Sequence, residues 1–190
     1  CTLEGGDVMM LDQHHLLVGC SERSTPEAFE SLKEELFAKN VIDNLVRIVI
    51  AKDRSSMHID TLFTQISKHE YVIYEDTLTS DIIKVTKYHK DGSKQEYSTL
   101  KDFFIDFDPN MEFILCGNGD ETFAAREQWT DGCNLVAVKD GVAIAYDRNF
   151  HTAVALKNAG YRVVQAEEFL KENILPEKVE KTIIAIPSTE

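Results

Sequence analysis

The stretch Val8-Met9-Met10-Leu11-Asp12-Gln13-His14-His15-Leu16-Leu17-Val18-Gly19, continuing through Ser24-Thr25-Pro26-Glu27 to Leu45-Val46-Arg47-Ile48-Val49-Ile50-Ala51, decides the fold class. Val8–Leu11 and His15–Gly19 read as two short strands. Ser24-Thr25-Pro26-Glu27 is a helix start, with a hydroxyl cap followed by Pro and an acid in the first turn. The spacing of Phe29, Leu32, Leu36 and Phe37 predicts one apolar face of a helix running to about Lys39. Leu45–Ala51 is rich in β-branched residues and reads as a buried strand. The unit is strand, strand, helix, strand.

The same order recurs twice. From His58 to Cys116 the strands are Thr61–Ile66, Tyr71–Tyr74 and Glu112–Cys116, with a short helix over Thr99–Phe107. An extra hairpin, Ile82–His89 and Lys94–Ser98 around Asp91-Gly92, lies within this second stretch. From Asn134 to Ile186 a hairpin around Lys139-Asp140-Gly141 precedes a helix over Asn149–Ala159 that stops at Gly160. A strand at Tyr161–Gln165, a short helix at Ala166–Lys171 and a final strand at Thr182–Ile186 complete it. A supersecondary unit repeated about every 50 residues predicts stacked or radially arranged modules, near residues 4–52, 58–116 and 134–186, within one α/β domain. A doubly wound sheet would alternate single strands with single helices and is disfavoured.

The 190 residues suffice for one good core, and 43% of them are hydrophobic, which places the chain among globular proteins. The formal net charge of -13 makes nucleic acid and anionic membranes poor partners. No run of 18 apolar residues is present, so no membrane-spanning helix is expected. Cys1, Cys20, Cys116 and Cys133 are scattered without a C-x-x-C pair. They read as buried, inert thiols of a reducing, cytoplasmic protein. Cys116 and Cys133 are weak nucleophile candidates, since nothing nearby in sequence lowers a thiol pKa. The chain opens at Cys1 without Met or signal peptide and stops at Ile186-Pro187-Ser188-Thr189-Glu190. It reads as a fragment of a longer polypeptide.

Ser56-Met57-His58-Ile59-Asp60-Thr61 sets an imidazole and a carboxylate two residues apart, on one face if the segment is extended. The pair suits a general acid/base with a cation-binding carboxylate, a metal half-site, or a satisfied histidine at a strand end. Glu4-Gly5-Gly6-Asp7 is either two carboxylates presented by a glycine turn or a turn with two solvated acids. Arg23, in Ser21-Glu22-Arg23-Ser24-Thr25, either forks onto a carboxylate or pairs with Glu22 or Glu27. Hydroxyls and amides at the helix start add anion affinity. Gly117-Asn118-Gly119-Asp120 lacks the Lys and Ser/Thr of a phosphate loop. Arg126–Gly132, with the only Trp, is an interior polar network or a ligand site. His14 and His15 diverge if extended and make a poor metal pair.

Taken together, Leu3-Glu4-Gly5-Gly6-Asp7, Gly19-Cys20-Ser21-Glu22-Arg23-Ser24-Thr25, Met57-His58-Ile59-Asp60-Thr61, Arg126-Glu127-Gln128-Trp129-Thr130-Asp131-Gly132 and Tyr146-Asp147-Arg148-Asn149 resemble the arginine deiminases. These belong to the guanidine-modifying superfamily, and the match is to the C-terminal half of such an enzyme. The resemblance implies an α/β propeller, here an incomplete ring of about three modules. It implies cytoplasmic hydrolysis of L-arginine to L-citrulline and ammonia, without metal or cofactor, through a covalent Cys amidino intermediate. By motif match, His58 is the acid/base, Glu4 and Asp60 are the carboxylates that engage the guanidinium, and Arg23 takes the α-carboxylate. Asp7 is a further substrate-binding candidate. The family's nucleophilic Cys follows a loop beyond the position matching Glu190, so the nucleophile is expected outside this chain and the chain alone is expected to be inactive. Exposed module edges predict dimerisation, hence a homo-oligomer. An amidinotransferase or other guanidine hydrolase of the superfamily, a non-catalytic binding relative and a His58/Asp60 metal hydrolase are the alternatives.

Overall fold

Thr25 starts the long helix. Its side chain accepts a hydrogen bond from the Ala28 amide, Pro26 sits in the first turn, and α1 runs Pro26–Ala38. Asn40 ends it with φ of 54°, a left-handed residue of the kind that closes helices. The computed structural model describes residues 1–52 and 56–188. The described residues form a mixed α/β fold that divides into two compact units, one of residues 1–60 and 76–109, the other of residues 61–75 and 110–190.

In the first unit, β1 (Val8–Met10) pairs antiparallel with β2 (His15–Cys20), and β2 pairs in parallel with β3 (Asn44–Val49). Helix α1 makes the crossover between the two parallel strands, which cannot be joined by a tight turn. Leu16, Val18, Cys20, Phe29, Ile42 and Leu45 form the core, with Leu32, Leu36, Phe37, Val49 and Tyr88 against it. Full burial of Phe29 contributes about 1.5–3 kcal/mol. The predicted helical face is thus the one that packs.

By position in the chain the hairpin at Ile82–Ser98 belongs to the second stretch. It forms β6 (Lys84–His89) and β7 (Lys94–Tyr97), and β6 pairs antiparallel with β3 along its whole length, from Asn44 opposite His89 to Val49 opposite Lys84. The hairpin therefore extends the first sheet to the order β1-β2-β3-β6-β7. This removes β3 as an open edge, a position that would leave a row of unpaired amides. Helix α3 (Leu100–Phe107) follows, closed at its start by a reciprocal box between Thr99 and Asp102.

In the second unit, β4 (Phe63–Gln65) pairs antiparallel with β5 (Glu70–Ile73), which pairs in parallel with β8 (Glu112–Leu115). A second sheet has the order β11-β12-β10-β9, from β9 (Val136–Lys139), β10 (Val142–Tyr146), β11 (Arg162–Gln165) and β12 (Thr182–Ile186). Helices α5 (Phe150–Asn158) and α6 (Ala166–Lys171) lie between these strands in the chain. The core gathers Ile66, Val72, Ile114, Leu135, Ala143, Leu156, Tyr161 and Ile183.

Two helices lie outside those the sequence pattern predicts: α2 (Glu75–Thr79) and α4 (Glu121–Trp129). Asp120 caps α4 by accepting from Thr122 and Phe123 amides. The first strand of the hairpin around Lys139-Asp140-Gly141, β9, lies at the sheet edge, with Val136 and Val138 exposed. No helix among the described residues is long and apolar enough to cross a membrane.

Candidate active site

Glu4 is held from behind by its own backbone. Its amide donates to Ser24 Oγ at 3.0 Å, and its carbonyl accepts from the Asp7 amide at 3.1 Å, closing the 3-10 turn Gly5–Asp7. The Thr25 amide donates to the Thr2 carbonyl, and Thr2 Oγ1 donates to the Arg23 carbonyl. The residues before β1 and the loop before α1 are therefore one hydrogen-bonded assembly. The Glu4 side chain leaves it 45% exposed.

His58 arrives on this assembly from a separate segment. Its Nε2 lies 2.8 Å from Glu4 Oε2, and its Nδ1 lies 3.9 Å from Asp60 Oδ1. The first is a hydrogen bond and the second a charge contact. The expected extended geometry for His58-Ile59-Asp60 is not what forms. Ile59–Thr61 is a 3-10 turn. The cause is the Ile59 amide, which donates to Asp7 Oδ1 at 3.0 Å rather than to a neighbouring strand. The turn still brings His58 and Asp60 together.

Gly6 forms the floor. A Cβ at Gly6 would lie 2.7 Å from Asp60 Oδ2 and 2.9 Å from both His58 Cγ and Nδ1. Only a residue without a side chain lets both groups approach this backbone. The His58 and Asp60 side chains keep 21% and 28% exposure, enough to meet a ligand. An imidazole flanked by two partly exposed carboxylates can exchange protons and attract a planar cation.

Asp7 sits elsewhere than a substrate-binding residue should. It is fully buried. Its Oδ2 accepts from Ser21 Oγ at 2.6 Å and its Oδ1 from the Ile59 amide. Arg23 is exposed, with its guanidinium 4.0 Å from Met57 Sδ. Among the described residues it forms no ion pair with Glu22 or Glu27. Thr25 Oγ1 accepts from the Ala28 amide as the helix cap.

The remaining motifs lie in the second unit. The carboxylate of buried Glu127 accepts from the His151 amide, the Thr152 amide and Thr152 Oγ1 at 2.7–2.8 Å, capping the start of α5. Asn149 and Thr130 bond reciprocally, and Arg148 reaches the Thr130 carbonyl and Asp131. Arg126–Gly132 and Tyr146–Asn149 thus knit to each other around buried Glu127 and Asn149, while Arg126, Trp129 and Arg148 stay exposed. Cys20, Cys116 and Cys133 are buried. Burial pushes the Cys20 thiol up to about 11, and burial likewise raises Cys133. His14 and His15 pair with different carboxylates, Asp43 and Asp12. Among the described residues no group of three or more His, Cys, Asp or Glu could hold a metal ion.

The family model for arginine deiminase matches residues 1–168 of this sequence. The chain belongs to the arginine deiminase family. It is 34% identical over 167 residues to the arginine deiminase of Mycoplasma capricolum, covering 86% of this chain and 41% of that relative. To the enzyme of Staphylococcus aureus strain MRSA252 it is 35% identical over 173 residues, covering 86% and 42%. To that of Levilactobacillus brevis it is 33% identical over 171 residues, covering 85% and 41%. The chain therefore spans about two fifths of the length of these arginine deiminases. Among solved structures, it resembles the amidinotransferase SxtG of Microseira wollei, with a TM-score of 0.55 and 12% identity over 84% of this chain and 40% of the other. An inosamine-phosphate amidinotransferase of Streptomyces griseus gives a TM-score of 0.52 with 15% identity over 84% and 39%. These likenesses place the fold with that of the amidinotransferases.

Proposed function

We propose that this chain is the C-terminal part of an enzyme that hydrolyses L-arginine to L-citrulline and ammonia. The observation that carries the reading is the hydrogen bond between His58 Nε2 and Glu4 Oε2 beside Asp60, all above the bare backbone of Gly6. In this reading Glu4 and Asp60 accept hydrogen bonds from the guanidinium nitrogens, and Arg23 forks onto the α-carboxylate. A Cys thiolate supplied by residues outside this chain attacks the guanidinium carbon. His58 gives its proton to the departing nitrogen, which leaves as ammonia. A water then adds to the amidino carbon while His58 takes one of its protons; the thiolate departs as the added hydroxyl gives up its remaining proton to solvent, where the released ammonia takes it as ammonium, and citrulline is released. Charge and proton balance at each step, and no metal or cofactor is required.

The polypeptide is read as cytoplasmic, with arginine as its small-molecule partner and no role for nucleic acid or membrane. Each of the three sheets holds an antiparallel pair followed by a parallel neighbour: β1-β2-β3, β4-β5-β8 and β9-β10-β12. That recurrence supports modules near residues 4–52, 58–116 and 134–186 of a single α/β-propeller domain. None of the four cysteines stands at the family's nucleophile position. The chain by itself is expected to be inactive, and its unpaired edges to favour self-association.

The test is citrulline release from L-arginine by the full polypeptide that carries this chain, with a His58→Ala variant and a chelator control. Chelator-resistant citrulline formation that disappears in the variant supports the reading. Amidino transfer to an added amine, with no citrulline, would move the assignment to the transferases.

A further inference from the structure

Behind the candidate site lies a buried relay that no step above uses. Asp7 is wholly enclosed and has no face toward a ligand. Its two oxygens point in different directions. Oδ1 accepts from the Ile59 amide at 3.0 Å, inside the turn that carries His58 and Asp60. Oδ2 accepts from Ser21 Oγ at 2.6 Å. Ser21 Oγ accepts in turn from the Arg23 and Ser24 amides, each at 3.1 Å. Ser24 Oγ then accepts from the Glu4 amide. One carboxylate and two hydroxyls therefore connect the backbones of Glu4, Arg23 and Ile59, the last lying between His58 and Asp60.

The space around Asp7 is tailored to it. A Cβ at Gly19 would lie 2.3 Å from Asp7 Oδ1 and 2.7 Å from Ile59 Cγ2. Strand β2 must therefore carry glycine at this point for the carboxylate to reach the Ile59 amide. A buried carboxylate is costly unless its lone pairs are met by donors. Here the donors are those of the segments to be aligned. Burial of this group is consequently a reason for the two segments to keep a single relative position.

We propose that Asp7 and Ser21 are the positioning residues of this site: Asp7 Oδ1 fixes the His58–Asp60 turn, and Ser21 Oγ fixes the Arg23 loop. The proposal rests on the deiminase reading for its kinetic form. Its two arms act on different parts of the substrate. The Ile59 arm sets the acid/base and so governs kcat. The Ser21 arm sets the residue that holds the carboxylate and so governs KM. A displacement of a catalytic group by about 1 Å is enough to cost about 10²-fold in rate.

The experiment compares Asp7→Ala and Ser21→Ala in the full polypeptide, at a temperature where circular dichroism shows both folded. Asp7→Ala removes both acceptor oxygens and so frees both arms; it is expected to lower kcat at least tenfold and also to raise KM for L-arginine at least fivefold. Ser21→Ala is expected to raise KM at least fivefold with kcat within about threefold. Equal losses of kcat in both variants with KM unchanged, following their melting temperatures, would overturn the proposal, since a merely structural role lowers the active fraction alone. Amide hydrogen exchange supplies a readout without substrate. Asp7→Ala should speed exchange at Ile59, and Ser21→Ala at Arg23 and Ser24. Unchanged exchange at these amides overturns the proposal even if activity falls. A wild-type polypeptide that makes no citrulline removes the deiminase reading, and exchange then decides the relay alone.

Discussion

His58 Nε2 meets Glu4 Oε2 at 2.8 Å across a sequence separation of 54, and the two side chains share one proton-bearing contact. Glu4→Gln keeps a hydrogen-bond acceptor but removes the charge. It is expected to lower kcat by about 10²–10⁴-fold, the range of general acid–base contributions. Groups that act as a unit are not additive. The Glu4→Gln/His58→Ala double variant should therefore fall little below His58→Ala in citrulline formation by the full polypeptide. Additive losses would separate the two roles.

Gly6→Ala places a methyl 2.7 Å from Asp60 Oδ2 and 2.9 Å from the His58 ring. Both side chains must move away from the site floor, yet they are partly exposed and have somewhere to go. The expected result is at least a tenfold loss of activity with a small change in melting temperature. A variant with wild-type turnover would show that the ring's position above Gly6 is unimportant.

Glu127→Ala removes a buried carboxylate that accepts three hydrogen bonds at the start of α5. Stranded donors are costly, and the loss is expected at about 3 kcal/mol. The measurement is the urea midpoint. Glu127→Gln, which retains one acceptor oxygen, should lose less.

Glu70 gives a pH signature. Burial alone raises its pKa, but hydrogen bonds from Ser67, Tyr161 and Lys181 outweigh this and hold the carboxyl below its ordinary 4.5. A depressed native pKa means that the unfolded chain binds the proton more tightly. The contribution is thus complete above about pH 4.5 and is lost as pH falls through the lower native value. Glu70→Gln should reduce stability by about 1–2 kcal/mol at neutral pH. It should also show a shallower decline than wild type in urea midpoints measured from pH 5 down to about pH 3.

Local signals were well read from sequence where the deciding residues are neighbours. Thr25-Pro26-Glu27 marks the start of α1, and Phe29 and Leu32 mark its packed face. The Gly160 stop of α5 also lies where its residue type dictates. The reading failed where the deciding partner is distant. Nothing near Lys84–His89 says that β3, some 40 positions earlier, is its partner. Nothing within His58–Asp60 says that a carboxylate at position 7 will take the Ile59 amide and bend the segment into a turn. Helix α4 carries a readable cap at Asp120, but its apolar pattern is too thin to announce a packed face. Glu4, His58 and Asp60 come together as their motifs suggested. Asp7 does not join them, because a glycine turn with an acid at each end gives no clue to which acid faces inward.

The hairpin on β3 has a consequence for synthesis and for engineering. Each unit consists of two pieces of chain, and residues 76–109 of the first interrupt the second. As the polypeptide leaves the ribosome, β3 waits with a bare edge until Lys84–His89 emerges, and β5 waits for Glu112–Leu115. Neither sheet can close in the order it is made, so the nascent chain passes through a stage with unpaired strand edges, a state prone to mispairing. By the same logic no single cut separates the two units. Expressing either alone calls for rejoining its pieces through a new linker, not for truncation.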